Sequence, residues 1–138
     1  MQKVLVLCTG NSCRSQIAEG YLRHFANGKA EIYSAGIETH GVNLNAIATM
    51  QEDGIDILNH TSNNIKEYSH INFDYIITVC DNAKENCLHF PGSAERFHYD
   101  FPDPAKATGT PVEIAAEFRD VRDQIKEFSK VFIKNIIP

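Results

Sequence analysis

The chain has 138 residues, 43% of them hydrophobic, and a formal net charge of -5 at pH 7. This size and composition predict one globular domain over residues 1–138 with a substantial core. No apolar run approaches the roughly 20 residues of a transmembrane helix, and the apolar run after Met1 is too short for a signal peptide, so we expect a cytoplasmic protein. The acidic balance, without a basic cluster, argues against nucleic acid or an anionic membrane as a partner.

The first two predicted elements are a strand and a helix joined by a loop of reactive residues. The apolar residues 4–7 indicate a buried strand, and Ile17, Tyr21 and Phe25 have the spacing of one helix face. The loop between them, residues 8–15, reads Cys-Thr-Gly-Asn-Ser-Cys-Arg-Ser. In an open α/β sheet such a loop lies at the carboxyl end of a strand and at a helix N-terminus, where backbone N–H groups attract anions. The loop therefore predicts an oxyanion site.

Cys8 and Arg14 would supply the chemistry of this site. With the loop amides pointing at a tetrahedral anion, the Cys8 sulfur would lie below its central atom and the guanidinium of Arg14 would bind two of its oxygens. This positive environment predicts a lowered pKa for Cys8, which makes it a nucleophile. Ser15, at the predicted N-cap, would donate a hydrogen bond to the sulfur, and Asn11 would brace the loop. The residues expected to contact the anion are Thr9, Gly10, Asn11, Ser12, Cys13, Arg14 and Ser15.

Strands and helices alternate along the rest of the chain. The predicted elements are a strand at 31–34 that turns at Ala35-Gly36, a short helix around Met50 ended by Gly54, a one- or two-turn helix capped within 61–64, a central strand at 73–79, a shorter strand at 96–100, and an amphipathic helix over 114–132. This order implies a single-domain α/β fold: an open, mostly four-stranded parallel sheet with helices on both faces.

Four cysteines lie at positions 8, 13, 80 and 87, and in a cytosolic chain they indicate redox, catalytic or metal chemistry. Because Cys80 follows the central strand, we expect it at the same sheet edge as Cys8. A phosphatase needs one thiol, whereas two-electron reduction of an oxyanion needs a pair that ends as a disulfide, and a third thiol can carry the oxidation outward. Alternatively, Cys80 and Cys87 could bind zinc together with His89, although their spacing is not that of a zinc knuckle. They could also be inert thiols of the core. The side chain of Cys13 is expected to pack behind the loop.

The chain resembles the thioredoxin-coupled arsenate reductases of the low-molecular-weight tyrosine phosphatase superfamily. The resemblance is carried by the loop from Cys8 to Ser15, by Ser34-Ala35-Gly36, by Thr61-Ser62, by the spacing of Cys80 and Cys87, and by the run from Asp103 to Ala107. It implies that Cys8 attacks arsenate while Asp103 protonates the leaving oxygen. It further implies that Cys80 attacks the adduct, which releases arsenite and leaves a Cys8–Cys80 disulfide. Cys87 would then form a disulfide with Cys80 and free Cys8. Thioredoxin, or glutaredoxin, would reduce the Cys80–Cys87 bond.

Two other functions stay open at this point. One is a low-molecular-weight protein tyrosine phosphatase that hydrolyses phosphate monoesters through a phosphorylated Cys8. Phosphatases of this superfamily usually have an aromatic residue after Asp-Pro, and Ala105 stands there in this chain, which argues against phosphotyrosine as the substrate. The other is a non-enzymatic oxyanion-binding or redox-sensing module, which would need no general acid. Asp103, which precedes a proline, could also be an ordinary turn former.

No cofactor is expected to be required, but one subgroup of the reductases binds a potassium ion. The resemblance would place that ion at Asn11, Glu19, Ser34, Thr61 and Asn63, and the subgroup has an acid at position 63 where this chain has asparagine. The six histidines show no ligand spacing and are expected to be surface or core residues. We expect a monomer that binds arsenate, phosphate or sulfate.

Overall fold

The computed structural model describes residues 1–80 and 92–137. Its strands are β1 (Gln2–Cys8), β2 (Ala30–Gly36), β3 (Tyr75–Thr78) and β4 (Glu95–His98). Its α-helices in these ranges are α1 (Arg14–Ala26), α2 (Leu44–Glu52) and α3 (Pro111–Ile136), and single 3-10 turns lie at Ile65–Tyr68 and Pro104–Lys106. No helix within the described ranges is long and apolar enough to cross a membrane.

The four strands form one parallel sheet in the order β2-β1-β3-β4, which confirms the predicted fold class. β1 and β3 are the central strands, and the apolar stretch of β1 is fully buried because it is covered on both faces. The register pairs Cys8 with Gly36 of β2, and Leu7 with Thr78 of β3. The carboxyl ends of β1 and β3 therefore meet at one edge, as the sequence predicted for Cys8 and Cys80.

At β2, α1 covers one face of the sheet and a 3-10 turn covers the other. Ser34 is hydrogen-bonded to Glu19 of α1, whereas Tyr33 points to the opposite face because side chains alternate along a strand. There its ring makes edge contacts with Tyr68 of the 3-10 turn and with Phe73. The prediction of helices on both faces is thus confirmed, and the predicted one- or two-turn helix is the 3-10 turn at Ile65–Tyr68.

The last helix buries the predicted apolar face. Its buried residues, at spacings of three, four and one, are Phe118, Val121, Ile125, Ser129, Phe132 and Ile133. It begins earlier than residue 114 because Thr110 and Glu113 form a capping box and Pro111 fits the first helical position. The α2 helix ends as predicted, with Gly54 at a φ of 77°.

The bounds of all four strands differ from the prediction, and β1 spans Gln2–Cys8 where residues 4–7 were predicted. β3 and β4 are shorter than residues 73–79 and 96–100, since only four residues of each join the ladder. β2 is longer, because Ala35 and Gly36 continue the strand instead of forming a turn. Glycine is required at 36 for another reason: a Cβ there would lie 2.5 Å from the Glu38 carbonyl oxygen and 2.7 Å from the Asn11 nitrogen. Its missing side chain lets the loop after β1 approach β2.

Gly36→Ala should therefore destabilise the fold more than a substitution that introduces backbone strain alone. The matched control is Gly28→Ala, where φ is 83° but nothing lies within 4 Å of the added carbon. We expect a loss of about 3 kcal/mol in the free energy of unfolding for Gly36→Ala from overpacking, and about 1 to 2 kcal/mol for Gly28→Ala from strain. Urea unfolding of both variants measures these losses, and equal losses would contradict the close approach.

Candidate active site

The loop between β1 and α1 presents its N–H groups inward because its carbonyl groups are bound on the outside. Main-chain N–H groups of Glu38, His40 and Asn43 donate to the carbonyl oxygens of Thr9, Gly10 and Ser12 at 2.9, 3.0 and 2.9 Å respectively. Within the described part of the chain, no protein acceptor receives the N–H groups of residues 10–15. A ring of free donors at a helix N-terminus is a site for an anion.

Asn11 braces this loop, as the sequence predicted. Its backbone is in the left-handed region, with a φ of 48°. Its side-chain amide donates to the hydroxyl oxygens of Ser15 and Ser34 at 2.8 and 3.0 Å, and its oxygen accepts the N–H of Asn63 at 2.8 Å. Three partners on three elements thus hold the strained residue in place.

Ser15 does not have the position that was predicted for it. The N-cap of α1 is Cys13, which makes no side-chain capping bond, and the Cys13 carbonyl already accepts the N–H of Ile17 at 3.0 Å. Ser15 is the second helical residue and is fully buried. The Ser15 hydroxyl oxygen accepts a hydrogen bond from Asn11, so the hydroxyl proton is still available as a donor. That it donates to the Cys8 sulfur stays a prediction.

The site is a cavity of about 250 Å³ at the carboxyl edge of the sheet. Its lining residues are Cys8, Thr9, Gly10, Ser12, Cys13, Arg14, His40, Asp103 and Ala105. The structure therefore brings together the predicted nucleophile, the predicted anion clamp and the predicted acid. The lining also includes a histidine that we had assigned to the surface or the core.

His40 lies on the loop backbone at Gly10. The main-chain N–H of His40 donates to the Gly10 carbonyl, and a Cβ added to Gly10 would clash with the imidazole ring. Its Nε2 lies 2.7 Å from a carboxylate oxygen of Glu38. No local sequence motif predicts that His40 lies at the cavity. Its place there results from the hydrogen bonds between the segment after β2 and the loop after β1.

Arg14 is held by the segment that follows β4. Its Nη1 donates to the carbonyl of Phe101 at 2.8 Å, and its Nη2 lies 3.7 Å from Asp103 Oδ2. Asp100 lies 3.9 Å from Nη1 on the same guanidinium. Asp103 also caps the following 3-10 turn by accepting the N–H of Ala105 at 3.0 Å. Asp103 is therefore both a turn former and a residue of the site.

A second thiol lies beside the nucleophile. Cys80 is 4% exposed, its sulfur is 3.4 Å from the Thr9 hydroxyl, and it is hydrogen-bonded to Cys8. Cys8, Cys13 and Cys80 are all free thiols. Cys87, His89 and the intervening polar segment lie outside the described residues, so the prediction of a third redox thiol and the zinc alternative stay untested. Within the described ranges, no group of His, Cys, Asp and Glu side chains could hold a metal ion.

The pKa of Cys8 is raised, which corrects the prediction of a lowered value. The hydrogen bond with Cys80 and the burial of the thiol raise the pKa of Cys8, and they outweigh the lowering by Arg14 and by the N–H of Thr9. The prediction counted the positive groups of the loop and left out the neighbouring thiol. Burial, with a smaller contribution from Asp103, raises the pKa of Cys13 to about 12. Cys13 therefore stays neutral, although it lines the cavity and does not pack only behind the loop.

The five residues proposed for potassium do lie together, but protein groups already bind their oxygens. Ser34 donates to one carboxylate oxygen of Glu19, and Arg23 Nη2 lies 2.9 Å from the other. The side-chain oxygen of Asn63 accepts the Thr61 hydroxyl at 2.7 Å. A guanidinium thus supplies the positive charge beside Glu19, and the arrangement does not fit a potassium ion.

Comparison with known proteins identifies related chains and folds. The sequence model of the family described as "Low molecular weight phosphotyrosine protein phosphatase" matches residues 3–137. An arsenate reductase of Halalkalibacterium halodurans is 47% identical over 129 residues, which cover 94% of this chain and 93% of that protein. A solved arsenate reductase in the phosphate binding state superposes with a TM-score of 0.79 at 34% identity, and one in the oxidized state with 0.81 at 33%; each match covers 99% of both chains.

Replacing Cys80 by alanine should lower the pKa of Cys8, because it removes the largest cause of the upward shift. A raised pKa keeps the thiolate fraction small at neutral pH, so the variant should react faster with iodoacetamide at pH 7 and its rate midpoint should move to lower pH. Arg14→Ala should move the midpoint in the opposite direction. Alkylation of Cys8 followed by mass spectrometry measures both, and an unchanged midpoint in Cys80→Ala would show that the thiol contact does not control Cys8.

Proposed function

Because the chain belongs to the low molecular weight phosphotyrosine protein phosphatase family, we propose that it uses the anion loop of that family to reduce arsenate to arsenite. The observation that carries this proposal is a second free thiol, Cys80, which lies beside Cys8 and raises its pKa. Ester hydrolysis needs a single nucleophile, whereas a reduction needs a second thiol that can reach the first. The names of the relatives with 47% identity support the same reaction.

The first step is displacement at arsenic. The N–H groups of residues 10–15 and the guanidinium of Arg14 hold the oxyanion, and the Cys8 thiolate attacks the arsenic atom. A sulfur–arsenic bond forms and an arsenic–oxygen bond breaks. Asp103, across the cavity, donates the proton with which that oxygen leaves as water.

The second step transfers two electrons. The Cys80 thiolate attacks the Cys8 sulfur, so that a disulfide forms and the electron pair of the sulfur–arsenic bond remains on arsenic. Arsenic(V) becomes arsenic(III) and leaves as arsenite. The Thr9 hydroxyl, 3.4 Å from the Cys80 sulfur, is in position to donate to that thiolate.

The last step restores Cys8. Cys87 attacks Cys80 by thiol exchange, and a dithiol protein such as thioredoxin or glutaredoxin reduces the resulting bond. This step rests on the presence of Cys87 in the sequence and on the resemblance to thioredoxin-coupled enzymes.

A weak phosphatase activity is the second candidate, because a specific observation favours it. Cys8, Arg14 and Asp103 line one cavity, and these three are sufficient for cleavage of a phosphate ester through a phosphocysteine. The small Ala105 at the rim offers no surface on which an aromatic leaving group could stack.

The thiol variants should separate the two reactions. Cys87→Ser keeps the first two steps, so we expect about one arsenite per protein and a final Cys8–Cys80 disulfide. Cys80→Ser should stop earlier, with arsenic still bound to Cys8. Arsenite counted per enzyme, together with peptide mapping by mass spectrometry, distinguishes these end states.

Hydrolysis of p-nitrophenyl phosphate is the control for these variants. Cys8→Ser and Arg14→Ala should abolish it, Asp103→Ala should slow it by about a hundredfold or more, and Cys80→Ser and Cys87→Ser should leave it nearly intact. Repeated turnover of arsenate by both Cys80→Ser and Cys87→Ser, with thioredoxin as the reductant, would refute the relay.

We also propose that Arg23 replaces potassium in this chain. Arsenate reduction should then proceed at the same rate when potassium is exchanged for tetramethylammonium at equal ionic strength. In Arg23→Ala the largely buried carboxylate of Glu19 loses its cation, so the melting temperature should fall and potassium should partly restore it. A wild-type enzyme that slows without potassium would contradict this assignment.

A further inference from the structure

Two side chains hold carbonyl groups of the anion loop from outside. The Ser62 hydroxyl donates to the Gly10 carbonyl at 3.0 Å, and the Gln16 amide donates to the Asn11 carbonyl at 2.9 Å. The other outward bonds of the loop come from main-chain N–H groups, which truncation of a side chain does not remove. Within the described residues, these two side chains are therefore the replaceable part of the loop support.

Each of these bonds also orients an N–H group. A trans peptide points its carbonyl and its N–H in opposite directions. Holding the Asn11 carbonyl outward therefore aims the N–H of Ser12 into the cavity, and holding the Gly10 carbonyl outward aims the N–H of Asn11 inward. The two side chains act on the donors that an anion would meet, although neither lines the cavity.

Gln16 itself has a single allowed orientation. It is fully buried, and its amide nitrogen donates to the carbonyls of both Asn11 and Thr61 at 2.9 Å. A flipped amide would place its oxygen against two carbonyl oxygens and leave both without a donor. The amide oxygen must therefore face His60, whose Nδ1 lies 3.0 Å away.

The orientation of Gln16 decides the proton position on His60. Since an amide oxygen can only accept, the His60 Nδ1 must carry the hydrogen. In the neutral ring the Nε2 then has no hydrogen, and it lies 3.6 Å from a carboxylate oxygen of Glu19. A histidine free of Gln16 would instead protonate Nε2 and donate to that carboxylate.

We propose that Gln16 and Ser62 are positioning residues that orient the N–H donors of the anion loop. The same fixed orientation of the Gln16 amide holds His60 as the Nδ1–H tautomer. This inference deepens the proposed function and rests on it only in taking residues 8–15 as the oxyanion site. It concerns the binding of the anion and not the later thiol exchange.

The test measures anion affinity without arsenate reduction. Inorganic phosphate is titrated as a protectant of Cys8 against iodoacetamide, in wild type and in variants. Gln16→Met keeps the approximate volume and removes the donors, so phosphate should bind about tenfold more weakly, which corresponds to about 1.4 kcal/mol. Ser62→Ala should weaken it by about threefold, because the N–H of His40 still holds the Gly10 carbonyl.

Ile125→Val is the matched control. This residue is fully buried in α3, outside the cavity lining, so the variant should have a lower melting temperature. Its phosphate affinity should remain that of the wild type. Equal phosphate affinity of wild type, Ser62→Ala and a folded Gln16→Met would overturn the positioning role.

A spectroscopic readout tests the arrangement even if Gln16→Met does not fold. Long-range ¹H–¹⁵N correlation of wild type at about pH 8, where histidine is neutral, should show His60 protonated at Nδ1. Protonation at Nε2 would overturn the assignment of Gln16. If phosphate fails to protect Cys8 in the wild type, the oxyanion site itself is wrong, and the proposed function falls together with this inference.

Discussion

The function of this chain depends on the orientation of a few peptide groups. The protein carries a net charge of -5, so it cannot attract an oxyanion through its overall field. The attraction must come from the loop after β1, whose carbonyls are bound outward and whose N–H groups are left inside. The glycine at 36, the left-handed asparagine at 11 and the buried Gln16 all serve this one arrangement. Binding an anion is thus a consequence of backbone geometry, and the Arg14 guanidinium, held by Phe101 and Asp103, adds a full positive charge.

The contact between two thiols gives the nucleophile a different resting state from that of a lone catalytic cysteine. Burial and the hydrogen bond with Cys80 favour a neutral Cys8. A neutral sulfur does not repel a doubly charged anion that enters the cavity, whereas a permanent thiolate would. Arg14 and the N–H of Thr9 favour the thiolate, so in the proposed reaction the charge that attacks arsenic forms next to the groups that bind the anion. In the proposed reaction, the thiol that raises the pKa of Cys8 is also the one that forms a disulfide with it.

Local patterns in the sequence predicted the parts of the molecule that local interactions determine. The strand–loop–helix unit at residues 8–15, the central strand before Cys80 and the apolar face of α3 all follow from spacing and residue type. The errors arose where a distant segment decides the outcome. The pKa of Cys8 depends on Cys80, the place of His40 depends on its pairing with Gly10, and Gly36 is needed because the anion loop passes over it. The sequence did not predict a role for Gln16, because the role of a buried glutamine in a helix is visible only from its hydrogen-bond partners.

The distance along the chain between the two reacting segments has a consequence for folding. In the sequence, 71 positions separate Thr9 from Cys80, and the two meet only because β3 pairs with β1. Contacts of such high sequence separation form late, since the entropy of closing a long loop must be offset by the native sheet. A chain leaving the ribosome exposes its nucleophile first and meets its redox partner only when the sheet is complete. In the proposed reaction, the Cys8–Cys80 disulfide can therefore form only in molecules whose sheet is complete.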